Sequence, residues 1–163
     1  MYELLDKSLR NVLRSQPEMS SSSIPKSSHA IAEERTNHCF GCGSANPQGL
    51  HLVFRIDNSN SASISVAADV ELTRMHEGPP GYIHGGIVAT LLDEAMSKLS
   101  IPLKVLAVTR RMEIDYIQPA PLNQPLILVG RHIRREGRKL FHEAELQKRD
   151  GQVLARGKGL LSY

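Results

Sequence analysis

Aromatic side chains are scarce in this sequence, which has no Trp, three Phe and four Tyr in 163 residues. Proteins that bind single-stranded nucleic acid stack bases on such rings, so we expect no nucleic-acid partner. The sequence also lacks a run of about 18 apolar residues, and its start, MYELLDKSLRNVLRSQPEM, lacks the apolar core of a secretory signal. We therefore expect a cytoplasmic protein without a membrane span.

Cysteine is equally scarce: Cys39 and Cys42, in His38-Cys39-Phe40-Gly41-Cys42, are the only two. A disulfide-stapled secreted scaffold needs more cysteines. One CxxC is half of a zinc site, and neither a second CxxC nor an HxxxH motif is present to complete it. Small thiols packed in a tight turn are the favoured interpretation, ahead of a metal site or redox chemistry, and no metal or cofactor is expected.

The composition predicts one folded domain. Hydrophobic residues make up 40% and charged residues 23% of the chain, a globular balance, and 163 residues leave room for one core. The net charge of +3 suits a polyanionic small molecule as well as a nucleic acid. Residues 1–36 are predicted to form an N-terminal helix and a Ser-rich linker, and residues 37–163 to form the domain.

The hydrophobic pattern predicts the element order ββ-α-ββββ. Two short β runs at 50–57 and 61–69 are predicted to form a hairpin, and one strong helix follows the Gly/Pro loop and continues to Leu99. Four further strands are predicted at Val105–Ile117, Leu126–Arg135, Leu140–Arg149 and Val153–Ser162, separated by hairpin-length turns. Short turns require antiparallel neighbours, so we predict an α+β fold in which a curved antiparallel sheet wraps a central helix.

The start of the helix carries the sharpest chemical feature, His84-Gly85-Gly86. Glycines at a helix start leave N–H donors uncovered, and the helix dipole adds positive potential there. This end can stabilise an oxyanion, although the glycines could instead merely permit the turn. Asp93 favours the chemical interpretation, because it shares a helix face with the small residues Gly86, Ala89, Thr90 and Ser97. Glu94 projects about 100° away and is interpreted as a salt-bridging side chain.

The segment HGGIVATLLDEA resembles the HGGxxxxxxD signature of hotdog-fold acyl-CoA thioesterases of the phenylacetate-pathway type. VTRRMEIDYIQPA and CFGCGSANPQGLHL are also similar to segments of that family. The resemblance implies the hotdog fold and hydrolysis of an acyl-CoA or related acyl thioester. It also implies a homodimer or a dimer of such dimers.

By the same resemblance, the Gly85 N–H polarises the thioester carbonyl and His84 supports that position. Asp93 is the acid, acting either as nucleophile or as general base, and Thr109 helps to place the water or the carboxylate. The chain departs from the family at Gly78, where related enzymes often carry Asn. A second carbonyl-orienting group is therefore absent, or is replaced by His76, Glu77 or water.

A basic cluster surrounds the turn at Gly137 and comprises Arg131, Arg134, Arg135, Arg138 and Lys139. Such charges either are solvated turn residues or bind the phosphates of coenzyme A, for which Arg and Lys are suited. Arg138 and Lys139 are the first candidates for the second role, and Gly86 is a further candidate for contact with the substrate.

Two other functions fit parts of the pattern. His76 and Glu94 imitate the His and Glu of hotdog dehydratases acting on β-hydroxyacyl thioesters, but that assignment leaves HGG and Asp93 unexplained. A non-catalytic acyl-CoA-binding module is the second alternative, against which stands the cost of burying Asp93. Gly85 and Asp93 are eight residues apart, about 12 Å along a helix, so we expect each active site to combine two chains.

Overall fold

The computed structural model describes residues 37–59 and 63–163. The N-terminal helix and linker predicted for residues 1–36 lie outside the described residues. The elements, in chain order, are β1 Arg55–Asp57, β2 Ser65–Val70, a 3-10 turn Arg74–His76, α1 Gly85–Lys98, β3 Val108–Tyr116, β4 Leu126–Glu136, β5 Lys139–Lys148 and β6 Val153–Ser162. The predicted order ββ-α-ββββ is confirmed.

The strands form one antiparallel sheet in the order β1-β2-β4-β5-β6-β3. The predicted first hairpin is confirmed by the pairing of Arg55 with Ala67 and of Asp57 with Ser65. β3 lies in the middle of the sequence but at the edge of the sheet, where it pairs only with β6 among the described strands. One long edge of β3 is therefore open to a further strand.

Two predicted strands are shorter than expected, and local hydrogen bonds explain why. β1 was predicted from Leu50, but the Leu50 and Leu52 N–H groups donate to the carbonyls of Phe40 and Gly41, at 2.7 and 2.9 Å. β3 was predicted from Val105, whose N–H instead donates to Ser100 O at 3.1 Å. The backbone N–H groups at the start of both segments therefore bond to loop carbonyls instead of to a neighbouring strand.

The apolar face of α1 packs on the sheet. Buried there are Val88, Leu91, Leu92, Ala95 and Met96. Two sheet positions beneath the helix are glycines: a Cβ on Gly130 would lie 2.7 Å from the backbone oxygen of Ala95, and one on Gly159 would lie 2.7 Å from Sδ of the flexible Met96 side chain. The helix therefore approaches the sheet as closely as backbone and side chains allow. No helix in the described ranges combines the length and apolarity needed to cross a bilayer.

His142 joins the sheet to the last turn of α1. It is 1% exposed, and its Nδ1 donates a hydrogen bond to Met96 O at 2.8 Å. Its Nε2 has no hydrogen-bond partner among the described residues. Burial lowers the pKa of His142 from 6.5 to about 4, outweighing the Met96 hydrogen bond, which raises it. The neutral ring thus satisfies a carbonyl at the end of the helix.

We expect the free energy of unfolding to fall as pH drops from 6.5 toward 4. In this window the unfolded His142 binds a proton and the folded one does not, so protonation favours the unfolded state. Because one pKa unit is worth about 1.4 kcal/mol, the loss attributable to His142 should reach about 2–3 kcal/mol near the acid end. Urea unfolding at about pH 7 and about pH 4.5 measures it.

His142→Asn is the matched control, since its amide offers a donor near Nδ1 but does not titrate in this range. The unfolding free energy of the variant should depend less on pH than that of the wild type. Parallel pH curves for the two proteins would show that His142 is not the group responsible.

Candidate active site

Hydrogen bonds and close packing in the loop before α1 hold the backbone of His84 in place. The His84 N–H donates to His76 O at 2.9 Å, and the Gly78 N–H donates to Tyr82 O at 2.9 Å. A Cβ at Gly78 would lie 2.8 Å from His84 Cα. The departure from the family pattern at Gly78 therefore has a steric reason: this loop has no room there for the Asn that related enzymes carry.

The other residues considered as replacements for that Asn serve the loop. Glu77 Oε1 accepts a hydrogen bond from the Gly81 N–H at 2.8 Å. His76 Nδ1 lies 3.3 Å from Thr73 O. Both side chains thus have local partners that help to shape the turn.

His84 is the N-cap of α1, and its hydrogen bonds leave one donor unused. Nδ1 accepts from the Gly86 N–H at 2.9 Å, and His84 O accepts from the Ile87 and Val88 N–H groups at 2.9 and 3.1 Å. The Gly85 N–H has no acceptor among the described residues. Gly85 also lines a pocket of about 290 Å³ together with Val88, Tyr116 and surrounding loop residues. A residue with an uncovered N–H at a helix start therefore lines a cavity of a size that suits a small acyl group.

Tyr116 is a neighbour of Gly85 for which the sequence predicted no role. Its hydroxyl donates to Gly85 O at 3.0 Å, and a Cβ built on Gly85 would lie 3.6 Å from its ring. Tyr116 was visible in the sequence only as the aromatic residue near the end of VTRRMEIDY. Its contact with a residue 31 positions earlier has no signature in local periodicity.

Asp93 and Thr109 meet as the family resemblance implied. The Thr109 hydroxyl donates to Asp93 Oδ1 at 2.6 Å, and both residues are half-buried. Asp93 Oδ2 has no hydrogen bond within the described part of the chain. The contact holds the carboxylate in one orientation and leaves one oxygen available for chemistry.

The structure separates the predicted site residues into two groups. His84, Gly85 and Gly86 lie at one end of α1 beside Tyr116, the last residue of β3. Asp93 lies beside Thr109, the second residue of the same strand. Within one chain, the N–H donor and the carboxylate therefore lie toward opposite ends of β3.

Arg138 and Lys139 lie at the tip of the β4–β5 hairpin, and both are exposed. Lys139 pairs with Ser162, which in turn pairs with Val108. The hairpin is therefore at the Thr109 end of the sheet. The Arg138 guanidinium donates through Nε to Tyr163 O, which partly engages this side chain.

Glu94 and the two cysteines form a second cluster on another side of α1. The salt-bridging role predicted for Glu94 is confirmed by its Oε1, which lies 3.4 Å from Lys98 Nζ. Lys98 Nζ is also 2.8 Å from Cys42 Sγ. Burial, reinforced by Glu94, raises the pKa of Cys42 to about 11, so this thiol is protonated at neutral pH and disfavoured as a redox nucleophile. Glu94 and His76 do not contact one another among the described residues of one chain: Glu94 is engaged by Lys98 and lies near Cys39, and His76 lies near Thr73 O.

Residues 80–155 match the family model described as thioesterase superfamily. This segment belongs to the thioesterase superfamily. It contains the HGG turn, all of α1 and β3, and therefore both halves of the site. The α1 helix and its six-stranded antiparallel sheet are the hotdog fold that the resemblance implied.

Individual thioesterase-superfamily proteins show how far the similarity reaches. A crystal structure of a thioesterase superfamily protein is 27% identical, with a TM-score of 0.72, and the match covers 95% of this chain and 73% of that one. Acyl-coenzyme A thioesterase THEM4 of Xenopus laevis is 33% identical over 78 residues, 48% of this chain. The match spans only 35% of that relative's length. A Streptococcus pneumoniae thioesterase protein solved with coenzyme A shares the fold, at 17% identity, TM-score 0.58, and coverage of 68% and 87%.

Proposed function

We propose that this protein is an acyl-CoA thioesterase that hydrolyses its substrate to a free acid and a thiol. The observation that carries the proposal is Gly85, whose N–H has no acceptor among the described residues and which lines a pocket at the start of α1. The name of the Xenopus relative and the coenzyme A bound to the Streptococcus protein support this substrate class.

The Gly85 N–H suits the charge that develops during hydrolysis. As a nucleophile adds to the thioester carbon, negative charge grows on the carbonyl oxygen, and a preorganised N–H donor stabilises it. The positive end of the α1 dipole acts in the same direction. The C–S bond then breaks, and the thiolate leaves and takes up a proton.

Asp93 supplies the attack in either of two ways. In the first, Oδ2 adds to the carbonyl carbon and displaces the thiolate, and water then hydrolyses the resulting mixed anhydride at the Asp93 carbon to give the free acid and Asp93. In the second, Asp93 removes a proton from a water molecule that attacks the carbonyl carbon directly. Thr109 is the positioning residue, because its hydroxyl donates to Oδ1 and restrains the carboxylate, while Oδ2 has no hydrogen bond among the described residues. Single-turnover hydrolysis in isotopically labelled water separates these routes: nucleophilic attack places the first label in Asp93, whereas base catalysis places it in the product acid.

The open edge of β3 supports a site shared by two chains. Gly85 lies at the Tyr116 end of this strand and Asp93 at the Thr109 end. If β3 pairs antiparallel with β3 of a second copy, the two-fold axis places opposite ends of the strands side by side. Gly85 of one protomer then approaches Asp93 of its partner. We therefore propose a homodimer, alone or within a dimer of dimers, as the active form.

The nucleotide of coenzyme A is assigned to the hairpin carrying Arg138 and Lys139. Lys139 is exposed and forms no ion pair within the described ranges, so its ammonium is available to phosphate. It is two strands from Val108, about 10 Å at ordinary strand spacing. This places positive charge within reach of the Asp93 end of the site.

Asp93→Asn should lower kcat/KM by at least about a hundredfold, since the amide cannot act as nucleophile or general base. Thr109→Val should lower it by about tenfold or more, because a hydrogen bond to a carboxylate is lost. Thiol release from a panel of acyl-CoAs measures both effects. Asp150→Asn, at an exposed residue in the β5–β6 turn whose Oδ1 acceptor is kept by the substitution, is the matched control and should stay near wild-type activity.

Near wild-type turnover by folded Asp93→Asn would contradict the assignment. Formation of a double bond from a β-hydroxyacyl-CoA without thiol release would indicate a dehydratase. Binding of acyl-CoA with neither reaction would indicate a non-catalytic module.

Mixing inactive Asp93→Ala with inactive Gly85→Pro should restore about a quarter of wild-type activity under random two-fold pairing. Proline is tolerated at the first helical position and removes only the N–H. In a mixed dimer both defects fall in one shared site, and the other site is intact. Circular dichroism and a subunit-exchange assay first establish that both variants fold and exchange. If mixed dimers form and no activity returns, each site resides in one chain.

Lys139→Ala should raise KM for acyl-CoA several-fold and leave KM for the matching acyl-pantetheine unchanged. Phosphate contacts are remote from the reacting carbon, so their loss mainly weakens uniform binding and spares kcat. Lys148→Ala, at the other end of β5, is the charge-matched control. Equal effects of Lys139→Ala on both substrates would contradict the assignment.

A further inference from the structure

The CxxC segment forms a tight turn with little freedom. The Gly43 N–H donates to Cys39 O at 2.8 Å, and the Cys39 N–H donates to Asn37 Oδ1 at 3.0 Å. A Cβ at Gly43 would lie 2.5 Å from both Asn37 O and Cys39 N. Only glycine fits at this position, and the closed turn directs the two thiols to the same region.

A third group with metal-binding chemistry reaches this turn from α1. Cys39 Sγ is 3.7 Å from Glu94 Oε2. A Cβ at Gly41 would lie 2.5 Å from Glu94 Oε2, so the glycine between the cysteines is what admits the carboxylate. Among the described residues, this is the group in which ligand atoms of three such side chains lie within 4.8 Å of one another.

These three ligands suit a four-coordinate Zn²⁺ ion. Zinc–sulfur bonds of about 2.3 Å and zinc–oxygen bonds of about 2.0 Å place tetrahedral ligands roughly 3.5–4 Å apart. Small side-chain rotations therefore bring the observed atoms into range. Thiolates select zinc over magnesium or calcium, which prefer all-oxygen ligands.

Lys98 completes the charge balance of the cluster. Its Nζ lies 2.8 Å from Cys42 Sγ and 3.4 Å from Glu94 Oε1. Two thiolates, one carboxylate and a divalent cation leave one net negative charge, which a single ammonium neutralises. With the ion bound, Lys98 acts as an outer hydrogen-bond donor that orients the ligands.

We propose that Cys39, Cys42 and Glu94 bind Zn²⁺, with water as the fourth ligand, and that the ion fastens the 37–52 segment to α1. Both thiol protons are released on binding, because zinc coordinates thiolates. This segment continues through Leu52, which is buried in the core and whose N–H donates to Gly41 O at 2.9 Å. The ion is thus structural and lies on a different side of α1 from Asp93.

The test is an anaerobic titration of the reduced full chain with Co²⁺, a spectroscopic substitute for Zn²⁺, followed by displacement with Zn²⁺. We expect one ion per chain, thiolate-to-cobalt charge-transfer absorption and the visible bands of tetrahedral Co²⁺. The sequence has only two cysteines, so the charge-transfer band assigns the ligands directly. Cys39→Ser should lose most of this band, and Zn²⁺ should raise the thermal midpoint of the wild type.

Two variants test the Glu94 ligand in particular. Glu94→Gln should weaken metal binding by at least about tenfold. Loss of a residue that only orients a ligand already costs about that much affinity, and Glu94 is itself a proposed ligand. Gly41→Ala should weaken it too, since the added methyl displaces Glu94 while all three ligand residues remain. Glu113→Gln, an exposed carboxylate on β3, should bind as the wild type does.

Three results would overturn the proposal. The first is no cobalt spectrum from the folded, reduced wild type, which would leave Lys98 as the only cation of the cluster. The second is unchanged affinity in Glu94→Gln. The third is octahedral cobalt without thiolate bands. None of these readouts depends on thioesterase activity, so their failure is distinguishable from failure of the proposed function.

Discussion

The close approach of α1 to the sheet is the constraint on which the site depends. Gly130 and Gly159 lie directly beneath the helix, where a Cβ would come within 2.7 Å of Ala95 O or Met96 Sδ. Without side chains there, the helix can lie close to the sheet. In this position Asp93 contacts Thr109 and Gly85 lies beside Tyr116. A larger residue at Gly130 would meet the backbone of Ala95, so we expect it to shift the helix and with it both groups of site residues.

The position of Asp93 along α1 separates the two groups of candidate site residues within one chain. Asp93 is eight residues after Gly85, about 12 Å along the helix, which is more than one thioester group can span. The face carrying Asp93 consists of small residues, and its carboxylate contacts β3 through Thr109. The same strand links the two positions and forms the open edge of the sheet, which is where we propose that a second copy binds.

The adjacent carboxylates Asp93 and Glu94 have different neighbours, because successive residues of a helix project about 100° apart. Asp93 faces β3 and accepts one hydroxyl donor. Glu94 faces the CxxC turn and Lys98. Because Gly41 has no side chain, the Glu94 carboxylate can enter the turn. There it lies near the Cys39 thiol and the Lys98 ammonium. The helix thus contributes Asp93 to the candidate active site and Glu94 to the proposed metal site, and the two sites share no residue.

The sequence alone predicted the elements set by local pattern: α1, the strand Val153–Ser162 and the antiparallel order all follow from periodicity and turn residues. It also indicated Gly85 and Asp93, because a glycine pair at a helix start and an acid on a small-residue face are local features. Tertiary structure decided which groups meet across 31 residues at Tyr116, 46 at His142 and 55 at Glu94. Periodicity tells which face a side chain occupies, but the residue opposite that face depends on how close the helix and sheet can come.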